Sequence, residues 1–316
     1  MSALTNLARD RSAQFTLLIA VAGLIIYGFG APQIPALTAE VSANLANEYA
    51  QMPLSLILLA IVYLMTRNRP PIDFVARSPE HRTALVEVIG LIVYGVVAIF
   101  GLAALGITYH PPDVFEPGID FSGTRLMTWA IINFVIYGAI PYLFFRWRGS
   151  SNVDLGLAGN NWVKDIWLIL VIGGVDLILA LQFTDFLTLT PGQMVTSVPL
   201  AFILYTLGAG VPVVIMVQAI FTPRLMRLTN STITTTIYVA FAYALFSASD
   251  AGIVFESGGH AFYALLYAIV HNIGPGLIKA ILTVRTGNSW LHMFAYHVLS
   301  FHAFADAVTV AFLFGL

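Results

Sequence analysis

Residues 84–108 read ALVEVIGLIVYGVVAIFGLAALGIT, and Glu87 is the only charged residue among them. A helix of about 20 apolar residues crosses the hydrocarbon core of a bilayer, so this stretch predicts a transmembrane helix. The whole chain of 316 residues has this character, since 59% of its residues are hydrophobic and 9% are charged. A soluble domain carries about 25% charged residues. The sequence therefore predicts an all-α fold, a polytopic helical bundle integral to a membrane.

Apolar stretches along the chain predict about nine transmembrane helices. They cover residues 14–31, 51–66, 84–108, 127–145, 163–183, 197–221, 233–255, 262–284 and 290–314. With this count, every Lys and Arg except Arg125 falls on one side of the membrane. Because basic residues concentrate in cytoplasmic loops, we expect the amino terminus in the cytoplasm and the carboxyl terminus outside. We expect the protein in a prokaryotic cytoplasmic (inner) membrane, with the lipid bilayer as a partner.

The composition also excludes several classes of function. The chain has no cysteine, which excludes disulfides, thiol catalysis and cysteine-ligated zinc. Its net charge is −2 and its basic residues are scattered, so it lacks the basic patch that nucleic acid requires. A polar stretch at residues 148–161 predicts a boundary between two units. Residues 1–148 would form a helical unit of four spans, and residues 149–316 a core of five.

Two motifs in the second unit carry a family resemblance. The first is DLGL at residues 154–157, followed by NWVKD at residues 161–165 and an apolar helix. The second is VRTGNSW at residues 284–290, followed by His297. Over roughly residues 150–310, the chain resembles the CPBP family, the intramembrane metalloproteases named for CAAX-protein and bacteriocin processing. The resemblance implies a metalloendopeptidase that processes membrane-associated substrates of the CAAX or bacteriocin type.

The family's catalytic motifs are a pair of glutamates followed by an arginine, Phe-x-x-x-His, and His-x-x-x-Asn or Asp. In such a site, carboxylate and histidines hold or polarise the attacking water, and a bound divalent metal such as zinc lowers that water's pKa. This chain departs from the first motif: Val217 and Gln218 replace both glutamates, Phe221 fits, and Thr222 replaces the arginine. A neutral amide cannot act as the general base.

The second motif is placed at residues 243–247, with Tyr243 in the phenylalanine position and Ser247 in the histidine position. This placement lies 50 residues before His297, which resembles the family spacing. The rival placement at residues 267–271 keeps a histidine, His271, but leaves only 26 residues to His297. The third motif survives in part, because Phe301 follows His297 where Asn or Asp is expected.

His297 also lies one residue later than the usual position in the third motif, which falls on Tyr296. Further along the helix, His302 and Asp306 are four residues apart, so we expect them to share a helix face and to hydrogen-bond. If the protein is an enzyme, the expected catalytic residues are His297, His302 and Asp306.

Five of the seven histidines lie in the last 57 residues, at positions 260, 271, 292, 297 and 302. In an α-helix a step of five residues rotates a side chain by about 140° beyond a full turn. We therefore expect that His292, His297 and His302 cannot all face one partner. A three-histidine metal site would need His271 from the neighbouring helix plus one or two of these, and His271, His297 and His302 are the expected ligands. Interhelical hydrogen bonding is the favoured alternative for these histidines.

Asp176 lies in the middle of a predicted span, where a carboxyl group must be neutral, paired or next to a cavity. A structural hydrogen bond and a role in proton transfer are both open for it. Lys279 is expected to extend its ammonium to the cytoplasmic face, too far away to pair with Asp176. Three hypotheses follow for the protein: a CPBP-type peptidase, a non-catalytic module that binds a membrane peptide, lipid or partner subunit, and a proton-coupled carrier.

Overall fold

The computed structural model describes residues 53–316 except 75, 106, 108–121, 160 and 247–257, together with residues 11, 13, 14 and 21. These residues form helices joined by short loops, and no strand occurs among them. From residue 53 onward the helices are α1 (Pro53–Thr66), α2 (His81–Ala103), α3 (Gly123–Trp147), α4 (Trp162–Phe183), α5 (Pro191–Thr229), α6 (Thr232–Phe246), α7 (Gly258–Thr286), α8 (Met293–Ala305) and α9 (Ala307–Phe314).

Judged on the described residues, α2, α3 and α5 are long and apolar enough to cross a membrane. Helices α8 and α9 meet the same criterion together, with a bend of 42° between them. The predicted class, an all-α membrane protein, is therefore confirmed. The count of about nine spans and the orientation of the termini stay predictions. Most of the first predicted span and the end of the seventh, residues 247–255, lie outside the described residues.

Helix α2 shows how an apolar sequence builds a lipid-facing helix. On its outer side, Val86 and Val97 are 63% and 66% exposed. On its inner side, Val88, Leu91 and Ile99 are buried in the main hydrophobic core. A helix that is apolar on both sides has no face suited to water. Its outer face is therefore suited to contact with lipid.

Close helix pairs organise the carboxyl-terminal half. Helix α6 packs along α7, where a Cβ on Gly276 would lie 2.9 Å from the Cα of Ala240. Helix α4 packs along α8, where a Cβ on Gly173 would lie 3.3 Å from the carbonyl oxygen of Ala295. Small residues permit this close approach of helix backbones in membranes. The two pairs bring polar residues from all four helices together.

Long parts of the described helices are π-helical, with i→i+5 hydrogen bonds in place of i→i+4. The π-helical stretches are Phe134–Ala139 in α3, Thr206–Gly210 and Val213–Phe221 in α5, and Met293–His302 in α8. Pro141 and Pro212 adjoin those in α3 and α5. Proline lacks an amide hydrogen and crowds the carbonyl four residues earlier, which disrupts α-helical bonding there. The stretch in α8 contains no proline and has no such signal in the sequence.

The DLGL loop (residues 154–157) packs against the RTGN turn (residues 285–288) and the two residues after it. The Ser289 amide donates to the Gly156 carbonyl at 3.0 Å, and the Ser289 hydroxyl donates to the Leu155 carbonyl at 2.9 Å. The Trp290 indole donates to the Leu157 carbonyl at 3.2 Å. Gly156 has φ +64°, a conformation that glycine adopts without a steric cost. The two sequence motifs behind the CPBP resemblance are therefore in direct contact.

Two arginine side chains from the amino-terminal half bind to residues at or next to this junction. Arg69 pairs with Asp165 at 2.5 Å, and the other oxygen of Asp165 accepts from Asn288 at 2.9 Å. Arg77 donates to the Gly287 carbonyl at 3.3 Å. Burial lowers the pKa of the Arg77 guanidinium, and nearby carboxylates oppose that shift. Ion pairs and hydrogen bonds thus cross the predicted boundary at residue 148.

Candidate polar centre

Six buried or half-buried side chains meet between α4, α6, α7 and α8, and we call this group the polar centre. It consists of Asp176, Tyr243, Lys279, His292, Tyr296 and His297. Lys279 is only 2% exposed, and its ammonium donates a hydrogen bond to the Tyr243 hydroxyl. The same nitrogen lies 3.7 Å from the centre of the Tyr243 ring.

The placement of Lys279 contradicts the sequence-based prediction. It does not extend to the membrane surface, and it interacts electrostatically with the Asp176 carboxyl. Asp176 also acts on the Tyr296 hydroxyl in α8. The prediction was wrong because Lys279 lies six residues before Arg285, about 9 Å deeper along the helix. That difference in depth was the sequence signal that could have placed it inside.

His292, which directly precedes α8, and His297 and His302 within α8 form a continuous row of rings. The ring centroids of His292 and His297 are 5.8 Å apart, and those of His297 and His302 are 5.0 Å apart. The predicted rotation of about 140° between successive histidines assumed α-helical geometry. Because residues 293–302 are π-helical, residues five apart are successive hydrogen-bonded neighbours and lie on nearly the same face.

The row ends at a histidine–aspartate pair, as predicted. The Nδ1 atom of His302 lies 2.6 Å from a carboxylate oxygen of Asp306. The His302 ring also stacks on Tyr205 of α5, with centroids 4.5 Å apart and planes 12° from parallel. The Asp306 side chain is 25% exposed, whereas that of His302 is 11% exposed. The row therefore connects a partly exposed carboxylate with the buried polar centre.

The structure brings together positions from two of the family's motifs. The rings of Tyr243 and His297 form a T-shaped pair, with a centroid distance of 6.3 Å and perpendicular planes. Tyr243 was predicted as the first position of the second motif, and His297 as the histidine of the third. Ser247, the last position of the second motif, lies outside the described residues, as does the side chain of Phe301.

Gln218 is the position predicted to replace a catalytic glutamate. It lies in the π-helical part of α5 and is 0% exposed. Among the described residues, neither its amide oxygen nor its amide nitrogen has a hydrogen-bond partner. The neighbouring positions differ from it, because Val217 and Phe221 line an apolar groove on the outer side. Thr222 donates to the Val217 carbonyl at 2.8 Å and stays within its own helix.

Arginine and glutamate do pair close to this motif, in another arrangement. Arg224 is 2.6 Å from Glu87 of α2, and its guanidinium lies 4.3 Å from the centre of the Phe145 ring. Arg148 approaches the same carboxylate at 3.7 Å. Glu87 therefore lies next to two guanidinium groups, of which Arg224 is the closer. Its ion pair with Arg224 links α2 to α5.

The predicted metal ligands His271, His297 and His302 are not assembled into a metal site. The described residues contain no group of three or more His, Asp or Glu side chains arranged to hold a metal ion. His271 lies on α7 and is half-buried, whereas His297 and His302 belong to the row on α8. Sequence reasoning did not assign Lys279, Tyr296 or Tyr205 to the site, and it considered His292 only among the histidines near the carboxyl terminus.

Comparison of the chain with protein-family models, with curated proteins and with solved structures returned no significant match. The CPBP resemblance therefore stays a prediction that depends on the motifs and on their contacts.

Proposed function

We propose that this chain is a CPBP-type membrane protein that binds a membrane-associated peptide without cleaving it. In this proposal it has about nine spans, a cytoplasmic amino terminus and a location in a prokaryotic cytoplasmic membrane. The observation that carries the proposal is Gln218, whose amide is fully buried and has no hydrogen-bond partner among the described residues.

The chemistry of an amide favours binding over hydrolysis. Gln218 cannot take a proton from water, so it does not replace the base of a peptidase. Its oxygen accepts and its nitrogen donates, which complements a peptide group. A buried polar group without a partner costs about 1–3 kcal/mol. A peptide backbone that supplied both partners would recover this cost on binding. The described residues lack the donor set of a zinc peptidase, so the proposal includes no metal-dependent step.

The test uses a fluorescent, farnesylated CAAX-type peptide and the full-length protein in detergent. We expect the wild type to bind the peptide and to release no cleavage product. Gln218→Leu should weaken binding about tenfold, because two hydrogen bonds are lost. Gln193→Leu is the matched control: it is the same change in the same helix, at a residue that bonds to Thr190 and Leu316 near the surface.

Each outcome decides between the hypotheses. Cleavage of the peptide by the wild type, lost in His297→Ala, would overturn the proposal and establish a peptidase. If the wild type does not bind, or if both glutamine variants bind as the wild type does, the role given to Gln218 is wrong. Binding that falls only in Gln218→Leu supports the proposal.

A second candidate function, a proton-coupled carrier, is favoured by the continuity of titratable groups. From Asp306 the contacts run through His302 and His297 to Tyr243, and from there to Lys279 and Asp176. Intramembrane ionisable chains of this kind mark proton paths. Liposomes that contain the protein and a trapped pH dye test it. Flux that Asp176→Asn abolishes and Asp185→Asn, at an exposed site, leaves intact would establish the carrier.

A further inference from the structure

An apolar groove runs along the outer side of the bundle, and none of the six polar-centre residues lines it. Its volume is about 900 Å³. One wall is formed by residues of α2 between Val88 and Phe100, and the other by residues of α6 between Tyr238 and Phe246. The floor is the π-helical part of α5, with Met216, Val217 and Phe221.

The dimensions of the groove fit an acyl chain. The wall on α2 spans twelve residue steps, which correspond to a length of about 18 Å. One leaflet occupies half of a hydrocarbon core that is about 30 Å thick. The groove is therefore about as long as one leaflet is deep. Several of its wall residues, such as Val96 and Leu245, are 49% and 47% exposed, so the described residues leave the groove open on its outer side.

The charge in the groove indicates which lipid occupies it. Arg11 is the one charged side chain among the described residues that line it. Lipid tails are as apolar as the walls, so burial of a tail does not by itself select a lipid. A cation at an otherwise apolar groove selects through the headgroup. Basic residues between helices on the cytoplasmic side bind anionic headgroups, and the proposed orientation puts Arg11 on that side.

We propose that this groove binds one phospholipid with an anionic headgroup, its acyl chain lying along α2 and its phosphate at Arg11. The site is separate from the polar centre, and it does not depend on whether Gln218 binds a peptide. The lipid fills the space between α2 and α6 and holds these two walls at their present separation over α5.

The experiment counts bound lipid by native mass spectrometry. The full-length protein in detergent receives an equimolar mixture of phosphatidylglycerol and phosphatidylcholine with identical acyl chains. We expect the wild type to retain one lipid and to prefer phosphatidylglycerol about fivefold, the effect of one cation near a headgroup. Arg11→Gln should retain lipid but lose this preference.

A pair of glycine variants tests the groove itself. Gly95 lines it, and a Cβ there would have only Met216 nearby, at 3.9 Å, so the ring of Gly95→Phe enters the groove. Gly90→Phe is the matched control on the exposed side of α2, where nothing lies within 4 Å. We expect Gly95→Phe to lose the bound lipid and Gly90→Phe to retain it.

The proposal is overturned if the wild type retains no lipid, if it retains both lipids equally, or if the two glycine variants retain equal amounts. Should Gly95→Phe fail to fold, a neighbouring pair replaces it. Val96 lines the groove, whereas Val97 is 66% exposed and does not. The same comparison then applies to Val96→Trp and Val97→Trp.

Discussion

The contact between the DLGL loop and the RTGN turn leads to a quantitative prediction for Gly156→Ala. Gly156 has φ +64°, and a Cβ there would lie 2.7 Å from the Ser289 hydroxyl oxygen and 2.8 Å from the Gly287 carbonyl oxygen. The hydroxyl is held by its bond to Leu155, and the carbonyl belongs to the backbone of the turn. Neither oxygen can move away from the new Cβ without loss of the contact between the DLGL loop and the RTGN turn. The variant therefore acts on the backbone conformation and on the packing of the loop.

The two effects have separate magnitudes. An alanine in the left-handed conformation costs about 1–2 kcal/mol. Forcing an extra carbon into a filled space costs typically about 1–3 kcal/mol. We therefore expect Gly156→Ala to lower the free energy of unfolding by about 2–5 kcal/mol. Gly149→Ala provides the control, because Gly149 has φ +94° and nothing lies within 4 Å of its Cβ position.

The measurement is reversible unfolding in mixed detergent micelles, followed by far-ultraviolet circular dichroism. Gly149→Ala should show the conformational cost alone, and Gly156→Ala should exceed it by about 1–3 kcal/mol. Equal losses in the two variants would show that the DLGL loop is not held against the RTGN turn. That result would also remove the structural support for reading the two motifs as one unit.

Two further predictions concern the stability of the folded chain. Asp165 is 1% exposed and forms an ion pair with Arg69. Asp165→Asn removes the negative charge of this pair, so it should lower the free energy of unfolding by about 3–5 kcal/mol in the same assay. The exposed Asp185→Asn should leave stability unchanged, and a similar loss in both variants would contradict the role given to the pair. Gln218→Leu should leave the free energy of unfolding unchanged or raise it by about 1 kcal/mol. The reason is that the Gln218 amide has no hydrogen-bond partner among the described residues, so the substitution breaks no hydrogen bond there. A clear loss of stability would mean that this amide is bonded in the folded protein.

Hydropathy placed the helices well where the sequence is uniformly apolar. The stretch at residues 84–108 corresponds to α2, and the contact of His302 with Asp306 followed from their spacing of one turn. Both inferences need only local information. The contact between the DLGL loop and the RTGN turn could not be derived, because the two motifs are about 130 residues apart and meet only through packing of α4 on α8.

The polar centre was predicted only in part, for two physical reasons. The depth of Lys279 depends on whether its side chain finds a partner, and the partner, Tyr243, belongs to another helix. The positions of the histidine side chains around α8 depend on its π-helical geometry, and no proline in the sequence predicts that geometry. A helical wheel drawn with α-helical spacing therefore separates side chains that the structure places in a row.

The wide turns of α8 also affect how this helix is compared with other sequences. A π-helical turn holds one residue more than an α-helical turn, so it can absorb a single inserted residue without displacing the helix beyond it. His297 comes one position after Tyr296, where the motif would put its histidine. An alignment that permits gaps only in loops would match the wrong residue of this pair. Comparisons of α8 with other helices should therefore allow a one-residue gap between residues 293 and 302.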